Sequence, residues 1–236
     1  TLHNVGEVDR LGIKIGDKVK ITRRGDVIPK IIENLGKAST ADLENRFHAD
    51  GTPFSGSLTH EEIPVPKQCP ACSRDLEMEG AFLRCIALEC DARTARALTY
   101  WCRTLEMDGI GEKLIEALLD SGLVSTIADL YSLTHSQITS LERMGDKSAY
   151  NVLDELAKTR ILNLAKFLHA LGIERIGPEV ATAISQHFTS LQKLLKWTDE
   201  GEIEELTAVD GIGDKVSTIF RAVSYTHLRA HETKAN

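Results

Sequence analysis

The chain lacks any run of about 18 apolar residues, which excludes a membrane-spanning helix from its reading. It also lacks a basic and apolar leader. The opening TLHNVGEVDR carries neither region of a secretory signal, so the expected location is the cytoplasm. Disulfide scaffolding is missing as well: only five cysteines occur in 236 residues, and four are grouped at a spacing that fits metal ligation in a reducing compartment. An overall excess of positive charge, the usual electrostatic footprint of a polyanion binder, is absent, since the formal net charge is -7. What remains, at 42% hydrophobic, is not a disordered chain. It can bury one or two ordinary cores, and its punctuation favours several small modules.

Local charge is more informative than the total. Residues 1–30 carry seven Lys/Arg against four Asp/Glu, whereas residues 31–68 carry three against six. Residues 69–104 are balanced at five each, and the remainder carries thirteen against twenty. A protein holding a polyanion mainly through backbone amides in its C-terminal half would show this distribution, and so would an ordinary acidic cytoplasmic protein.

Leu11 to Ile32 alternate apolar and polar residues through Ile13, Ile15, Val19 and Ile21, with Gly16-Asp17 and Gly25-Asp26 as turn signals. That pattern predicts a small twisted barrel or hairpin sheet, with Pro29 at a strand start, edge or bulge. Thr1 stands directly before material that reads as the interior of a module, so the chain is expected to begin within a domain. Arg23, Arg24 and Lys30 flank the second turn, where they would grip phosphates or serve as a solvated basic edge. Residues 36–68 are polar and read as a long connection with a short helix across Thr40 to Arg46. His48 and His60 are further metal donors in principle, but four thiols already complete a site.

Those thiols are Cys69, Cys72, Cys85 and Cys90, spaced C-x2-C-x12-C-x4-C. Two knuckles closing on one ion would make a four-thiolate zinc site, which leaves no open position for water and is therefore structural. Small core cysteines without a metal, or iron–sulfur ligation, are the alternatives. Cys102 is the odd thiol and is expected to pack beside Trp101.

After Leu105 an internal repeat appears in LEMDGIGEKLIEALL, LERMGDKSAYNVL, LGIERIGPEVATAI and LTAVDGIGDKVSTIF. The aligned glycines Gly111, Gly145, Gly177 and Gly213 are 34, 32 and 36 residues apart, enough for two helices and two loops per unit. Four and seven residues beyond each glycine lie Ile115 and Leu118, Ala149 and Val152, Ala181 and Ile184, Ser217 and Phe220, so an amphipathic helix should start just after each one. Its free amides would point into the hairpin, where a small residue lets a phosphate approach. Units one and four keep G-I-G through Gly109 and Gly211; Arg143 and Arg175 take those positions in units two and three, where they are either partly architectural or exchange a backbone amide approach for an arginine contact. Lys113, Lys147 and Lys215 recur two residues past the aligned glycine, with Glu179 in unit three. They are either phosphate contacts or surface solubilising residues. Four such turns could track a duplex backbone without reading a base. The final stretch from Ser224 breaks the repeat and reads as a disordered or non-native tail; His227 and His231 there lack a third ligand.

The order of barrel, four-cysteine finger and four helix-hairpin-helix units resembles the bacterial NAD-dependent DNA ligases. The resemblance rests on TLHN, IGDKVKITRRGDVIPKI, the CPAC pair with Cys85 and Cys90, MDGIGEKLIEALLDSGLV, IADLYSL and VDGIG, and covers nearly all of residues 1–223. It departs from the family in a longer polar connection and in Asp91-Ala92-Arg93 after the last cysteine. The implied fold class is multidomain: a partial all-β OB-like barrel over 1–35, a polar linker over 36–68, the four-cysteine zinc finger over 69–90 and a connection over 91–104. An all-α tandem helix-hairpin-helix array follows over 105–223, and a tail over 224–236.

The resemblance implies a ligase that seals nicks between a 3'-hydroxyl and a 5'-phosphate through AMP, with structural Zn2+ here and with NAD and Mg2+ bound mainly outside this portion. It implies a monomer whose partner is nicked double-stranded DNA. By the same similarity Arg23, Arg24, Lys30 and Asp26 face DNA, and Gly109, Gly111, Gly145, Gly177, Gly211 and Gly213 form the main duplex platform. The family's nucleotidyl lysine lies in K-x-D-G, which does not occur here, so no catalytic residue is assigned. A branch-binding module of a non-ligase repair or recombination protein, and a zinc-stabilised protein scaffold, are the competing functional classes.

Overall fold

A computed structural model describes residues 1–23, 28–44, 46–48, 50–53, 59–87 and 90–222. Arg24 and Asp26 and the tail from Ser224 lie outside the described residues. The chain divides into two compact units, residues 1–90 and 91–236.

The first unit opens with a helix where the sequence reading expected only strands. Helix α1 (Val5–Leu11) is capped by Asn4, whose Oδ1 accepts from the Glu7 amide at 2.9 Å, and closed by Gly12 at a φ of 57°. Seven residues are too few to display a helical period, so the caps were its main signal. Strand β1 (Lys14–Ile15) pairs antiparallel with β4 (Glu61–Glu62), and β2 (Asp17–Thr22) with β3 (Lys30–Lys37). The polar connection thus returns a strand to the sheet region, and its short helix is a 3-10 turn at Thr40–Leu43. Pro29 stands directly before β3, where no ladder amide is required.

The period-two pattern holds only partway. Ile13 is buried and Val19 half-buried, but Ile15 and Ile21 are exposed. The β2–β3 register shifts between Asp17 and Val19 and again between Lys20 and Ile21, each time with the extra residue on β3, so the pairing is irregular on both sides of Val19. What ties these strands together is polar. The Asp17 carboxylate is 3% exposed; it accepts from the Lys14 amide at 2.8 Å and from Asn34 Nδ2 at 3.1 Å, and lies 2.9 Å from His60 Nε2. These contacts, led by the Lys14 amide, hold its carboxyl below the ordinary range.

The second unit is helical. It comprises α2 (Asp91–Thr104), α3 (Glu112–Asp120), α4 (Ile127–Leu130), α5 (His135–Thr139), α6 (Asp146–Lys158) and α7 (Leu164–Ala170). There follow α8 (Pro178–Phe188), α9 (Leu191–Glu200), α10 (Ile203–Thr207) and α11 over residues 214–222. Residues 91–104, read as a connection, form the first helix of the array, because Leu98, Trp101, Cys102 and Leu105 recur at helical spacing and are buried.

Each hairpin joins a helix pair: α2 to α3, α5 to α6, α7 to α8 and α10 to α11. The four units are grouped in twos around separate apolar clusters. One contains Leu98, Trp101, Ile115, Leu118, Ile138, Ala149 and Val152; the other contains Leu168, Ala181, Ile184, Leu194, Trp197 and Phe220. A single helix, α4 or α9, links the two hairpin pairs within each half. In the first cluster Trp101 Nε1 donates to the Tyr131 hydroxyl at 3.0 Å, which lies 3.1 Å from Thr159 Oγ1. In the second, Trp197 stacks on Phe220 and donates from Nε1 to the Glu202 carbonyl at 3.0 Å.

Candidate nucleic-acid interface and metal centre

All eight side chains expected to face inward from the hairpin helices are buried: Ile115, Leu118, Ala149, Val152, Ala181, Ile184, Ser217 and Phe220. That burial fixes the rotation of each helix and hence what its first turn presents to solvent. Gly111, Gly145 and Gly177 are the N-caps of α3, α6 and α8, and Gly213 immediately precedes α11. Their carbonyls accept the first helical bonds, from Ile115 at 3.1 Å, Ala149 at 3.0 Å, Ala181 at 2.9 Å and Ser217 at 3.1 Å. At the three N-caps φ lies between -95° and -77°, a conformation open to any residue. A Cβ added at any of the four would meet nothing within 4 Å. No side chain caps the N-termini of α3, α6 or α8. The fold therefore leaves the amides of these turns uncovered and does not itself demand glycine there. Such a turn offers oriented N–H donors and a positive dipole end to an anion.

The residue two positions earlier is left-handed in every unit: φ is 78° at Gly109, 65° at Arg143, 66° at Arg175 and 80° at Gly211. Between the two positions Ile110, Ile176 and Ile212 are buried and Met144 is half-buried, anchoring each turn to the core. A left-handed conformation costs a non-glycine residue roughly 1–2 kcal/mol. Arg143 and Arg175, which the sequence leaves as either architectural or an arginine contact in place of an amide approach, both stand at this left-handed position. Their register with Gly109 and Gly211 was the available signal. Lys113, Lys147 and Lys215 are exposed in the first turns of their helices. Of the basic residues in the first unit, Arg23 is exposed, and Lys30 Nζ lies 3.5 Å from Glu7 Oε1 on α1; Arg24 is outside the described residues.

The four thiols come together. Hairpin β5 (Leu76–Glu79) and β6 (Phe82–Cys85) delivers Cys85 at its end, while the turn at Cys69 is closed by its amide to the Arg74 carbonyl at 2.8 Å. Ser73 at a φ of 56° completes that knuckle. The Sγ atoms of Cys69, Cys72, Cys85 and Cys90 all lie within 4.8 Å of one another, with Cys69 to Cys90 at 3.9 Å and Cys72 to Cys85 at 3.5 Å. A tetrahedral ion with metal–sulfur bonds of about 2.3 Å needs sulfur–sulfur edges of about 3.8 Å. The donor set fits.

The electrostatics point the same way. Amides of Cys72 and Ala71 pull the Cys69 thiol down to about 7. The Arg74 amide acts similarly on Cys72, but burial and the three neighbouring thiols outweigh it and push Cys72 up to about 12. One thiolate, Cys69, is stabilised and Cys72 beside it then resists ionising, which is the situation a bound divalent cation resolves. His60 belongs to Asp17 instead of this cluster. Cys102 is 1% exposed, its thiol raised to about 12 by burial, and is a core residue.

Comparison with known proteins agrees with this layout. Residues 1–42 match the family model for the NAD-dependent DNA ligase OB-fold domain. Residues 104–158 match the SAM-like helix-hairpin-helix tandem and residues 166–226 the helix-hairpin-helix motif, one match for each apolar cluster. The chain is 39% identical over 218 residues to a DNA ligase of Cellvibrio japonicus, covering 90% of this chain and 29% of the relative. It is 35% identical over 221 residues to a DNA ligase of Koribacter versatilis, covering 92% and 30%. With a DNA ligase of Acidobacterium capsulatum it shares 36% identity over 225 residues, covering 94% and 30%. The chain thus spans about three-tenths of the length of these curated relatives. Its OB-fold match, its paired helix-hairpin-helix modules and its homology along nine-tenths of its length identify it as a C-terminal portion of the NAD-dependent DNA ligase family.

Proposed function

We propose that this chain is the part of an NAD-dependent DNA ligase that holds nicked duplex DNA. The observation that carries the reading is the fourfold repetition of a glycine that the fold does not require, directly before a helix that in the first three units carries no side-chain cap. Four such turns grip a sugar-phosphate backbone without reading bases, so sequence-independent binding at any nick is the expected property. Arg23 and Lys30, with Arg24, add basic contacts from the first unit. Sealing itself, through an AMP intermediate with NAD and Mg2+, would draw its nucleotidyl lysine from outside these 236 residues, since no K-x-D-G occurs in them. The four thiolates would hold Zn2+ in a closed, structural site. The protein would act as a cytoplasmic monomer; among the described residues no helix is long and apolar enough to cross a membrane.

The test is fluorescence anisotropy with nicked and intact duplexes of one sequence at two salt concentrations. The chain should bind the nicked duplex, and more weakly at high salt. Gly213→Thr keeps a good N-cap while its hydroxyl occupies the amides a phosphate would use. It should leave thermal stability unchanged or raised and weaken binding by about tenfold, the worth of a hydrogen bond to a charged group. Absence of binding at low salt, or a folded Gly213→Thr with full affinity, would overturn the reading.

A further inference from the structure

Units two and three place arginine at the left-handed position where units one and four place glycine. The turn itself would be better served by glycine. Neither side chain is recovered by packing: the Arg143 side chain is 90% exposed and that of Arg175 is 54% exposed. Their ion pairs, 3.4 Å to Glu142 and 3.8 Å to Glu174, join adjacent surface residues and contribute little. Each of these turns thus holds a guanidinium in solvent at a backbone position that disfavours a non-glycine residue. Arginine presents a planar fork of donors that matches a phosphate in two places at once.

Unit three makes the case sharper. Pro178 occupies the first helical position of α8, removing one of the amides that the other units offer. Glu179 stands where Lys113, Lys147 and Lys215 stand elsewhere. Between Glu174 and Glu179, Arg175 is the only cationic residue. Resting on the reading that these hairpins hold duplex DNA, we propose that Arg143 and Arg175 bind backbone phosphates, so that the four hairpins work in two modes. The first and fourth use amides with a lysine. The second and third use a guanidinium, added to amides and a lysine in the second and replacing a lost amide and lysine in the third. Hairpin three therefore depends on one side chain.

The experiment uses the whole 236-residue chain loaded with zinc and a fluorescein-labelled nicked duplex, with affinity measured across a salt series and thermal melts run in parallel. Arg175→Gly should melt at the same or a higher temperature, lose about tenfold in affinity, and flatten the slope of log affinity against log salt by about one. Arg143→Gly should show a similar slope change with a smaller affinity loss, because Lys147 remains. Arg175→Asn, which tolerates the left-handed turn, repeats the measurement if glycine loosens the hairpin. Unchanged affinity and slope in the folded Arg175 variants would overturn the proposal while leaving the DNA-holding reading intact. Equal affinity losses at 143 and 175 would overturn the special dependence of hairpin three. Failure of the parent chain to bind at low salt would remove the DNA-holding reading and this proposal with it.

Discussion

Among the described residues of the first unit, the buried apolar and thiol side chains are Ile13, Cys69 and Cys90, while Ile15, Ile21, Ile28, Ile32, Leu35 and Phe47 are exposed. The second unit buries two clusters, with Ile115, Leu118, Ile138, Ala181, Ile184 and Phe220 fully enclosed. The difference teaches where each unit finds its cohesion. Burial of apolar area at about 25 cal/mol per Å² can hold the helices, but the first unit removes too little such surface from water. Its order rests on short antiparallel pairings, the Asp17 knot and the four-thiol centre.

The largest effect that would break this contrast is expected at the four thiols, on removing the metal they are placed to hold. Structural zinc sites contribute on the order of 10–16 kcal/mol of apparent binding energy to folding, so a chelator should abolish amide protection across residues 69–90. The helical dichroism, which arises mainly in the second unit, should persist. Simultaneous collapse of both signals would show that the two units are not independent in stability. Next in size are the cores. Leu118→Ala in one cluster and Ile184→Ala in the other should each cost about 2–5 kcal/mol in denaturant melts; a cost below about 1 kcal/mol would mean that these helices are not held by apolar packing.

A smaller change tests the polar link inside the first cluster. Tyr131→Phe leaves the Trp101 indole N–H without its partner, whereas the Thr159 hydroxyl still reaches the carbonyls of Glu155 and Leu156 at 3.2 Å. The expected loss is about 1–3 kcal/mol, read from the same melts. Smallest is an electrostatic effect at the surface of the first unit. Arg10, and secondarily Lys30, hold the Glu7 carboxyl down at about 2 against an ordinary 4.5. A lowered folded pKa contributes stability that is present above 4.5 and lost as pH falls toward 2. The difference in α1 amide protection between the parent and Glu7→Gln should therefore shrink over that window; a constant difference would assign the role of Glu7 to something other than its charge.

The comparison also marks what could be read before the structure. The four helix-facing pairs and the four thiols were legible because each is a short-range periodicity or spacing repeated several times, and repetition suppresses chance. Helix α1 was not, since its single Asn4 cap carries little statistical weight beside a strand-like neighbour. The slip at Lys20–Ile21 is set by how β3 pairs with β2, a non-local fact that alternation along one strand cannot express. Nor does a repeat of four announce that it packs as two twos. That grouping depends on α4 and α9, whose sequences lie between the aligned segments. The arginines at 143 and 175 were visible as exceptions with two readings, architectural or an arginine contact, and the backbone angle adds that an arginine there is costly.

The grouping in twos has a practical side. The chain has two tryptophans, and the fold deals one to each cluster: Trp101, set edge-on against Tyr131 and Phe167, and Trp197, stacked near Phe188 and Phe220. Each half of the array thus carries its own internal fluorophore in a distinct aromatic surround. Replacing one indole at a time with phenylalanine would turn emission into a half-by-half recorder of events along the hairpin array.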